Sequence, residues 1–407
     1  MKKLHSFLFV ILLISLPCFS LFAADIGVIL DQSVGAGGTS SDNNTDYSAM
    51  LIPRLTALIG DNGSLYLSAG MRVDYQNEKW SSVPELLRSE FTWSTDSGEL
   101  NIGRMYYSDP LTFIADGLFD GARYSIFTGM GTFGIGAWYT GLLYKNRANI
   151  ALSGEDMAAQ AVEVDYSDLA NTYFAPKRFV AAIDWEHPSI AELLGVNIAI
   201  LGQFDLTDSK VNSQYLAAKI ILPINDFVFD LGGCLELMQY PGADSSNETG
   251  IALAAELGVA WMLPTPIEDR LSILGRYSSG GTDNDSIDPF LPITTQNQGT
   301  ILKAKLSGLS LISLDYIGRF HESFSLGVSS TYFMRSDLGT YFGYPVGAAE
   351  SDGYLLGNEF FGQLIWSPVS DVQVTFGAGA FLPSMGNVAP DADALWRVEL
   401  NVIMSLY

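Results

Sequence analysis

The stretch Ser64-Leu65-Tyr66-Leu67-Ser68-Ala69-Gly70-Met71-Arg72-Val73-Asp74-Tyr75 decides the fold. Leu65, Leu67, Ala69, Met71, Val73 and Tyr75 make one row, and Ser64, Tyr66, Ser68, Gly70, Arg72 and Asp74 make the other. A period of two over about ten residues describes a strand with one face in an apolar medium and one in a polar medium. The pattern returns along the chain. Val196, Ile198, Ile200 and Phe204 alternate with Asn197, Gln203 and Asp205. Phe227, Phe229, Leu231, Leu235 and Leu237 alternate with Asp230, Cys234 and Glu236, and Ile251, Leu253, Ala255, Leu257, Val259 and Trp261 flank Glu256 and Gly258. The last strand sets Trp396, Val398, Leu400, Val402, Met404 and Leu406 against Arg397, Glu399, Asn401 and Ser405.

Aromatics close the apolar rows at Tyr75, Trp93, Trp185, Trp261, Tyr332 and Trp366, as in the interfacial girdles of a lipid-facing surface. Short turns at 60–63, 96–98, 128–131, 225–226 and 368–371 alternate with longer polar stretches near 35–45, 77–85, 106–118, 144–176, 240–249, 279–299, 335–356 and 383–393. This predicts an all-β, transmembrane, antiparallel up-and-down β-barrel of about 18 strands, with 16 as the competing count, tight periplasmic turns and elaborated external loops. Closure removes the sheet edges that lipid would not tolerate. No fixed-period repeat points to a solenoid.

The N-terminus fits this reading. Lys2 and Lys3 precede the apolar run from Phe7 to Leu16, and Leu21-Phe22-Ala23-Ala24 supplies small residues for cleavage before Asp25. Residues 1–23 therefore read as a secretory signal peptide and 24–407 as a single barrel domain in the cell outer membrane. Cys18 follows Pro17, which argues against lipid attachment, and leaves Cys234 as the one cysteine of the exported chain. No later segment offers 18 continuous apolar residues. Charged residues are only 16% of the sequence, against about 25% for an ordinary soluble domain. The net charge of −24 becomes −26 once Lys2 and Lys3 leave with the leader, which excludes a nucleic-acid partner.

If the apolar rows face lipid, the other rows face the lumen. The expected pore-lining residues are Arg72, Asp74, Arg88, Glu90, Arg123, Lys219, Asp230, Glu236, Glu256, Arg270, Arg276, Lys303, Lys305, Arg397 and Glu399; Arg178, Asp184, Asp205 and Glu359 share those rows. The two signs nearly balance inside, which places the excess negative charge in loops: Glu155-Asp156, Glu163 and Asp165, Asp283, Asp285 and Asp288, Glu350 and Asp352, Asp391 and Asp393. A lumen with both signs stays wet and biases which solutes pass, and 144–176 is the loop expected to fold inward as a constriction. The function expected is a porin-like channel passing small polar or charged solutes by diffusion. The alternative is a barrel whose acidic external loops bind host molecules or cations. The expected partners are outer-membrane lipid, small solutes and the barrel-insertion machinery, which would read the terminal Ser405-Leu406-Tyr407. Tyr407 falls on the polar row.

Gly103-Arg104-Met105, Ser108-Asp109-Pro110 and Phe119-Asp120-Gly121-Ala122-Arg123-Tyr124 resemble the Gly-Arg … Phe-Asp-Gly-x-Arg pattern of alginate-export-type outer-membrane porins. The resemblance covers roughly twenty residues. It implies an 18-stranded barrel whose inward arginines, matched here by Arg104 and Arg123, guide an anionic polysaccharide. The inward carboxylates and acidic loops depart from that family. Arg104 is in phase with Leu100 and Ile102, so either a bulge turns it inward or it sits at the interface.

Catalysis is not expected. His187 in Trp185-Glu186-His187-Pro188 and His321 in Phe320-His321-Glu322-Ser323 fall near predicted periplasmic turns, away from the outer leaflet where a surface hydrolase needs its base. No ligand at metal spacing accompanies either, and no cofactor is implied. Asp283-Asn284-Asp285-Ser286-Ile287-Asp288 lacks the glycine and distal Glu of a calcium loop.

Overall fold

The computed structural model describes residues 24–207, 210–242, 247–281, 287–338 and 351–406. The signal peptide with Cys18, the acidic residues Asp283, Asp285 and Glu350, and Tyr407 lie outside the described residues. The strands are β1 (Ala24–Gly38), β2 (Asn43–Ile59), β3 (Gly63–Gln76), β4 (Lys79–Thr95), β5 (Gly98–Ser108), β6 (Asp116–Thr128) and β7 (Gly131–Tyr139). They continue as β8 (Arg178–Ile190), β9 (Leu194–Asp205), β10 (Asn212–Ile224), β11 (Phe227–Pro241), β12 (Asn247–Met262) and β13 (Arg270–Ser278). After the short hairpin β14 (Asn297–Gln298) and β15 (Ala304–Lys305) come β16 (Leu309–His321), β17 (Phe324–Arg335), β18 (Leu355–Val369), β19 (Val372–Leu382) and β20 (Leu395–Leu406). All except the hairpin join one 18-stranded antiparallel sheet. It closes where β1 meets β20, from Val28↔Leu406 to Gly38↔Trp396.

Side chains on the outward rows stay exposed, for example Ile183, Ile200, Leu231 and Leu257. That is tolerable only against hydrocarbon. The girdle at the tight-turn end is built of rings. Phe227 stacks on Trp261 at 5.7 Å, and Phe324 on Trp366 at 5.9 Å. Among the described residues no helix is long and apolar enough to cross a membrane.

Several connections differ from expectation. The stretches near 35–45 and 77–85 are mostly strand: β1 and β2 turn at 39–42, and β3 and β4 turn at Asn77-Glu78, both with positive φ. Pro84 and the polar run around it had masked the alternation. They sit where β4 has lost a partner. The β4–β5 ladder runs only from Thr95↔Gly98 to Ser89↔Arg104, whereas β4 stays paired with β3 up to Gln76↔Lys79. A strand edge needs no N–H from Pro84. The connection after β7 covers this seam. It carries α1 (Lys145–Ala148), α2 (Gly154–Ala161) and α3 (Leu169–Thr172) around a small core of Leu143, Ala148, Ile150, Leu152 and Ala175. The Tyr166 hydroxyl donates to the Ser82 carbonyl and the Tyr173 hydroxyl to that of Pro84, capping the free edge.

The interior holds more than charge. The connection 109–115 and residues 290–293 of the β13–β16 connection fold inward onto the β8–β12 wall. There Val180, Ala182, Ala199, Leu201, Tyr215, Ala217, Cys234, Ala252 and Ala254 are buried with Leu111, Phe113, Ile114, Phe290 and Ile293. The inward alanines leave room for these loops.

Candidate functional site: the lumen and its ion pairs

The inward charges form compact groups across neighbouring strands. On β3 and β4, Arg72 Nε lies 3.0 Å from Glu85 Oε1, and Arg147 Nε, reaching in from α1, lies 3.0 Å from Glu85 Oε2. Both guanidinium groups also approach the Met50 sulfur at 3.8 Å. Asp74 is half-buried on the same row. A bulge opposite Ser68 and Ala69 inserts Leu87 into β4. It shifts the phase, so that Glu85 below it in sequence and Arg88 and Glu90 above it all point inward. Arg88 pairs with Glu90 and covers the Tyr66 ring at 5.1 Å.

Across the barrel, Glu256 receives Lys219 Nζ at 2.9 Å on one oxygen and Arg276 Nη2 at 2.9 Å on the other. Arg276 also donates to Gln298 Oε1 at 2.8 Å and lies 4.8 Å over the Phe113 ring. Arg123 pairs with Asp184 at 2.6 Å beside Tyr107. At the closure, Arg397 grips Asp46 at 3.0 and 3.1 Å and Glu399 at 2.7 Å.

The longest of these pairs pass over glycine. Arg123 on β6 reaches Asp184 on β8 across Gly134 on β7, where a Cβ would stand 2.5 Å from Asp184 Oδ1 and 2.6 Å from Arg123 Nη2. Arg397 reaches Asp46 across Gly35, and Lys219 reaches Glu256 across Gly232. The intervening strand must present no side chain for such pairs to form.

A second set of inward carboxylates holds loops. Glu359 accepts the backbone N–H groups of Thr300, Ile301 and Leu302 at 2.7, 3.1 and 2.9 Å. Glu236 is fully buried and accepts Leu291 N at 2.9 Å. Asp109 accepts Leu111, Ile114 and Ala115 N at 2.7, 2.8 and 2.8 Å. Asp156 of α2 meets the inward Arg178 at 2.6 Å.

Other expected residues fall elsewhere. Lys303 lies in the turn of the β14–β15 hairpin and Lys305 on β15, neither on a barrel strand; Lys303 is exposed and Lys305 donates to Asn297 at 3.1 Å. Burial pushes the Lys305 ammonium down from its ordinary range. Asp230 is half-buried on β11, and Arg270 is exposed at the tight-turn end of β13. Arg104 is buried in the seam, held by both oxygens of Asp120 at 2.8 Å and by the carbonyls of Leu86 and Leu142. Loop 144–176 does reach the interior, through Arg147 and Asp156, but 109–115 and the β13–β16 connection penetrate with it. Glu85, Arg147, Asp46, Asp109 and Gln298 were not among the expected lining residues. Glu85 was hidden by the reading of 77–85 as loop, and the others lie on or near loops where no periodicity marks the inward side.

His187 Nδ1 accepts Ser189 N, and His321 Nδ1 accepts Ser323 N, so both serve local turns. Among the described residues no cluster of three or more His, Cys, Asp or Glu could hold a metal ion.

No family model matches the chain, and no curated protein matches it. The fold is similar to that of Pseudomonas aeruginosa OccK2 (OpdF) in complex with glucuronate, at 12% identity and a TM-score of 0.63 over 94% of this chain and 98% of that one. It is similar also to OccK9 (OpdG) from the same organism, at 11% identity and a TM-score of 0.63 over 94% and 98%. A third is P. aeruginosa OpdL, at 13% identity and a TM-score of 0.59 over 94% and 99%. The chain has the closed 18-stranded, porin-type fold of an outer-membrane barrel.

Proposed function

We propose that this chain is an outer-membrane channel that passes small polar solutes and favours anions. One observation carries the preference. The inward signs balance by count but not by exposure. Arg88, Arg147, Arg72 and Arg123 keep 43%, 35%, 29% and 23% of their side-chain surface open, while their partners Glu90, Glu85 and Asp184 keep 9%, 2% and 15%. At these groups the nearest charge to a passing ion is a guanidinium, with its carboxylate set behind it; at the strand closure the order reverses, Arg397 keeping 19% against 29% for Asp46 and 33% for Glu399. The field inside a narrow pore follows the nearer charge. Small sugar acids such as the glucuronate bound by OccK2 have the sign that such a lumen favours.

The polysaccharide role implied by the likeness to alginate-export-type porins finds less support. Arg104 is committed to Asp120, which leaves Arg123 as the one arginine of that pattern at the lumen. Residues 1–23 would direct export, and β20 with Tyr407 would present the chain to the insertion machinery.

The test is single-channel conductance of the refolded barrel in a planar bilayer, with reversal potential under a KCl gradient. Stable openings with the reversal potential on the chloride side are expected. A folded barrel that never conducts would sink the channel; a cation-selective one would sink the anion preference.

A further inference from the structure

We propose that the connection 109–115 is a pH-responsive gate, held against the β8–β12 wall when Asp109 is protonated and biased away from it when it ionises. The connection joins β5 to β6 and lays its apolar side chains on the inner face of the β8–β12 wall. Leu111, Phe113, Ile114 and Ala115 are almost completely buried. Leu111 sits on Gly232, whose absent Cβ would stand 2.4 Å from it, and Phe113 lies under Arg276. The position of this segment therefore decides how much of the lumen beside the Lys219–Glu256–Arg276 group is open.

One carboxyl organises the segment. Asp109 Oδ1 accepts Leu111 N, and Oδ2 accepts Ile114 N and Ala115 N. Its own N–H donates to the Ala115 carbonyl at 3.0 Å, which closes the loop on itself. The tip, Thr112, has a φ of 62°, a left-handed conformation that costs a non-glycine residue some stability.

The surroundings of Asp109 oppose its charge. It is 3% exposed, and among the described residues it makes no ion pair. The groups facing it are Tyr106 and Tyr107 of β5, the acidic Asp116 of β6 and the Cys234 thiol of β11. The nearby arginine, Arg123, is engaged by Asp184. A carboxylate supported only by neutral N–H donors does not recover its hydration. Burial accordingly raises the Asp109 carboxyl from 3.8 to about 6, the three backbone N–H groups offsetting part of the rise.

The sign follows by linkage. Released into water, the carboxyl returns to its ordinary value, so the inward position binds the proton more tightly than the outward one. Acid favours the inward position. That advantage is complete below about pH 4 and is lost as pH rises through about 6, where the ratio of inward to outward falls by on the order of a hundredfold. The protonated acid keeps one oxygen free to accept, so the turn survives in acid.

The measurement is made on the refolded chain carrying Cys18→Ser, which leaves Cys234 as the one thiol. Cys234 lies in the same buried cluster as Leu111 and reports whether the segment has left. Its rate of maleimide labelling, divided by the rate for the urea-unfolded chain at each pH, is expected to rise severalfold or more between pH 5 and pH 8, with a midpoint near 6. Asp109→Asn, which mimics the neutral acid, is expected to hold the pH 5 rate throughout. Single-channel conductance should follow the same profile. A flat wild-type labelling profile overturns the gate, as does an Asp109→Asn barrel that titrates like the wild type. Should that variant not fold, the wild-type profile decides alone. Labelling does not depend on conduction, so failure of the gate and failure of the channel reading are distinguishable.

Discussion

Replacing Glu256 by Gln is the sharpest test of how the lumen presents charge. The substitution keeps the shape of the side chain and removes the one carboxylate shared by Lys219 and Arg276, each 2.9 Å away. Glu256 is 3% exposed at its side chain, while Lys219 and Arg276 keep 19% and 15% and can turn toward lumen water. The stability cost should therefore fall at or below the low end of the ~3–5 kcal/mol typical of breaking a buried pair. Selectivity should respond more clearly. The substitution raises the group from one net positive charge to two, and one added charge, taken at about 8 Å from an ion in water, is worth ~0.5 kcal/mol to each ion, attractive for an anion and repulsive for a cation. The two effects multiply to about fivefold in the anion-to-cation permeability ratio. Screening over a Debye length of about 10 Å at 0.1 M salt reduces this to about twofold, and most of it returns at 0.01 M. The assay is the reversal potential under a KCl gradient at both salt levels, on barrels that pass a heat-modifiability check for folding. An unchanged reversal potential at low salt, or a shift toward cations, would refute the placement of this triad on the ion path.

Two further substitutions probe how the interior is assembled. Glu359→Ala strands three backbone N–H groups, that of Leu302 buried and those of Thr300 and Ile301 part-buried, and should cost about 3 kcal/mol of local stability at most, at ~1 kcal/mol for each lost bond; residues 297–306 should become cleavable by added protease while the barrel stays intact, and unchanged resistance would count against the anchor. Gly35→Val puts a Cβ 2.7 Å from Arg397 Nη2 and 3.0 Å from the Asp46 carboxylate at the strand closure. Its gel-shift midpoint on heating should drop, in line with the ~1–3 kcal/mol of an overpacked site, whereas Gly233→Ala, with nothing nearer than 4.0 Å, should leave the midpoint where it is.

The barrel was legible because lipid imposes a strict rule on one face. Nearly every outward position from Leu65 to Leu406 is apolar or small, Arg104 and Asp120 being an exception that pairs with itself across β5 and β6, and that rule survives without any knowledge of neighbours. It failed where the wall itself is irregular. Pro84 reads as a loop signal, but β4 has no partner on its β5 side at that level, so a strand edge there tolerates a missing N–H. The bulge at Leu87 then reverses the phase, and Glu85 and Glu90, five residues apart, end on the same side. The inner face obeys no comparable rule. Whether an inward carboxylate meets a guanidinium or a backbone N–H depends on loops that arrive from distant sequence, as Leu291 does at Glu236 and Thr300 at Glu359. One signal for the ion pairs was available: inward glycines at 35, 134 and 232 mark the places where a long pair crosses a strand.

A chain with a net charge of −24 can still present cations to its lumen because its acids are divided among separate tasks. Asp109, Glu236 and Glu359 spend their oxygens on backbone N–H groups and are buried by the loops they hold. Glu85 and Glu256 each sit behind two basic side chains, so each group adds a net positive charge to the wall. Most of the acids left over sit at the two rims: Glu155, Glu163, Asp165, Asp352, Asp391 and Asp393 are exposed at the long-loop end, and Asp61, Asp96, Asp226, Glu268, Glu322 and Asp371 at the tight turns. The path into the barrel therefore crosses a negative rim before it reaches a positive interior. An anion is opposed by the long-range field and attracted by the short-range one. Salt screens the first more than the second, because the rim acts through bulk solvent and the lumen charges act at close contact. Anion entry should then gain from added salt at low ionic strength, even as the interior loses some of its preference.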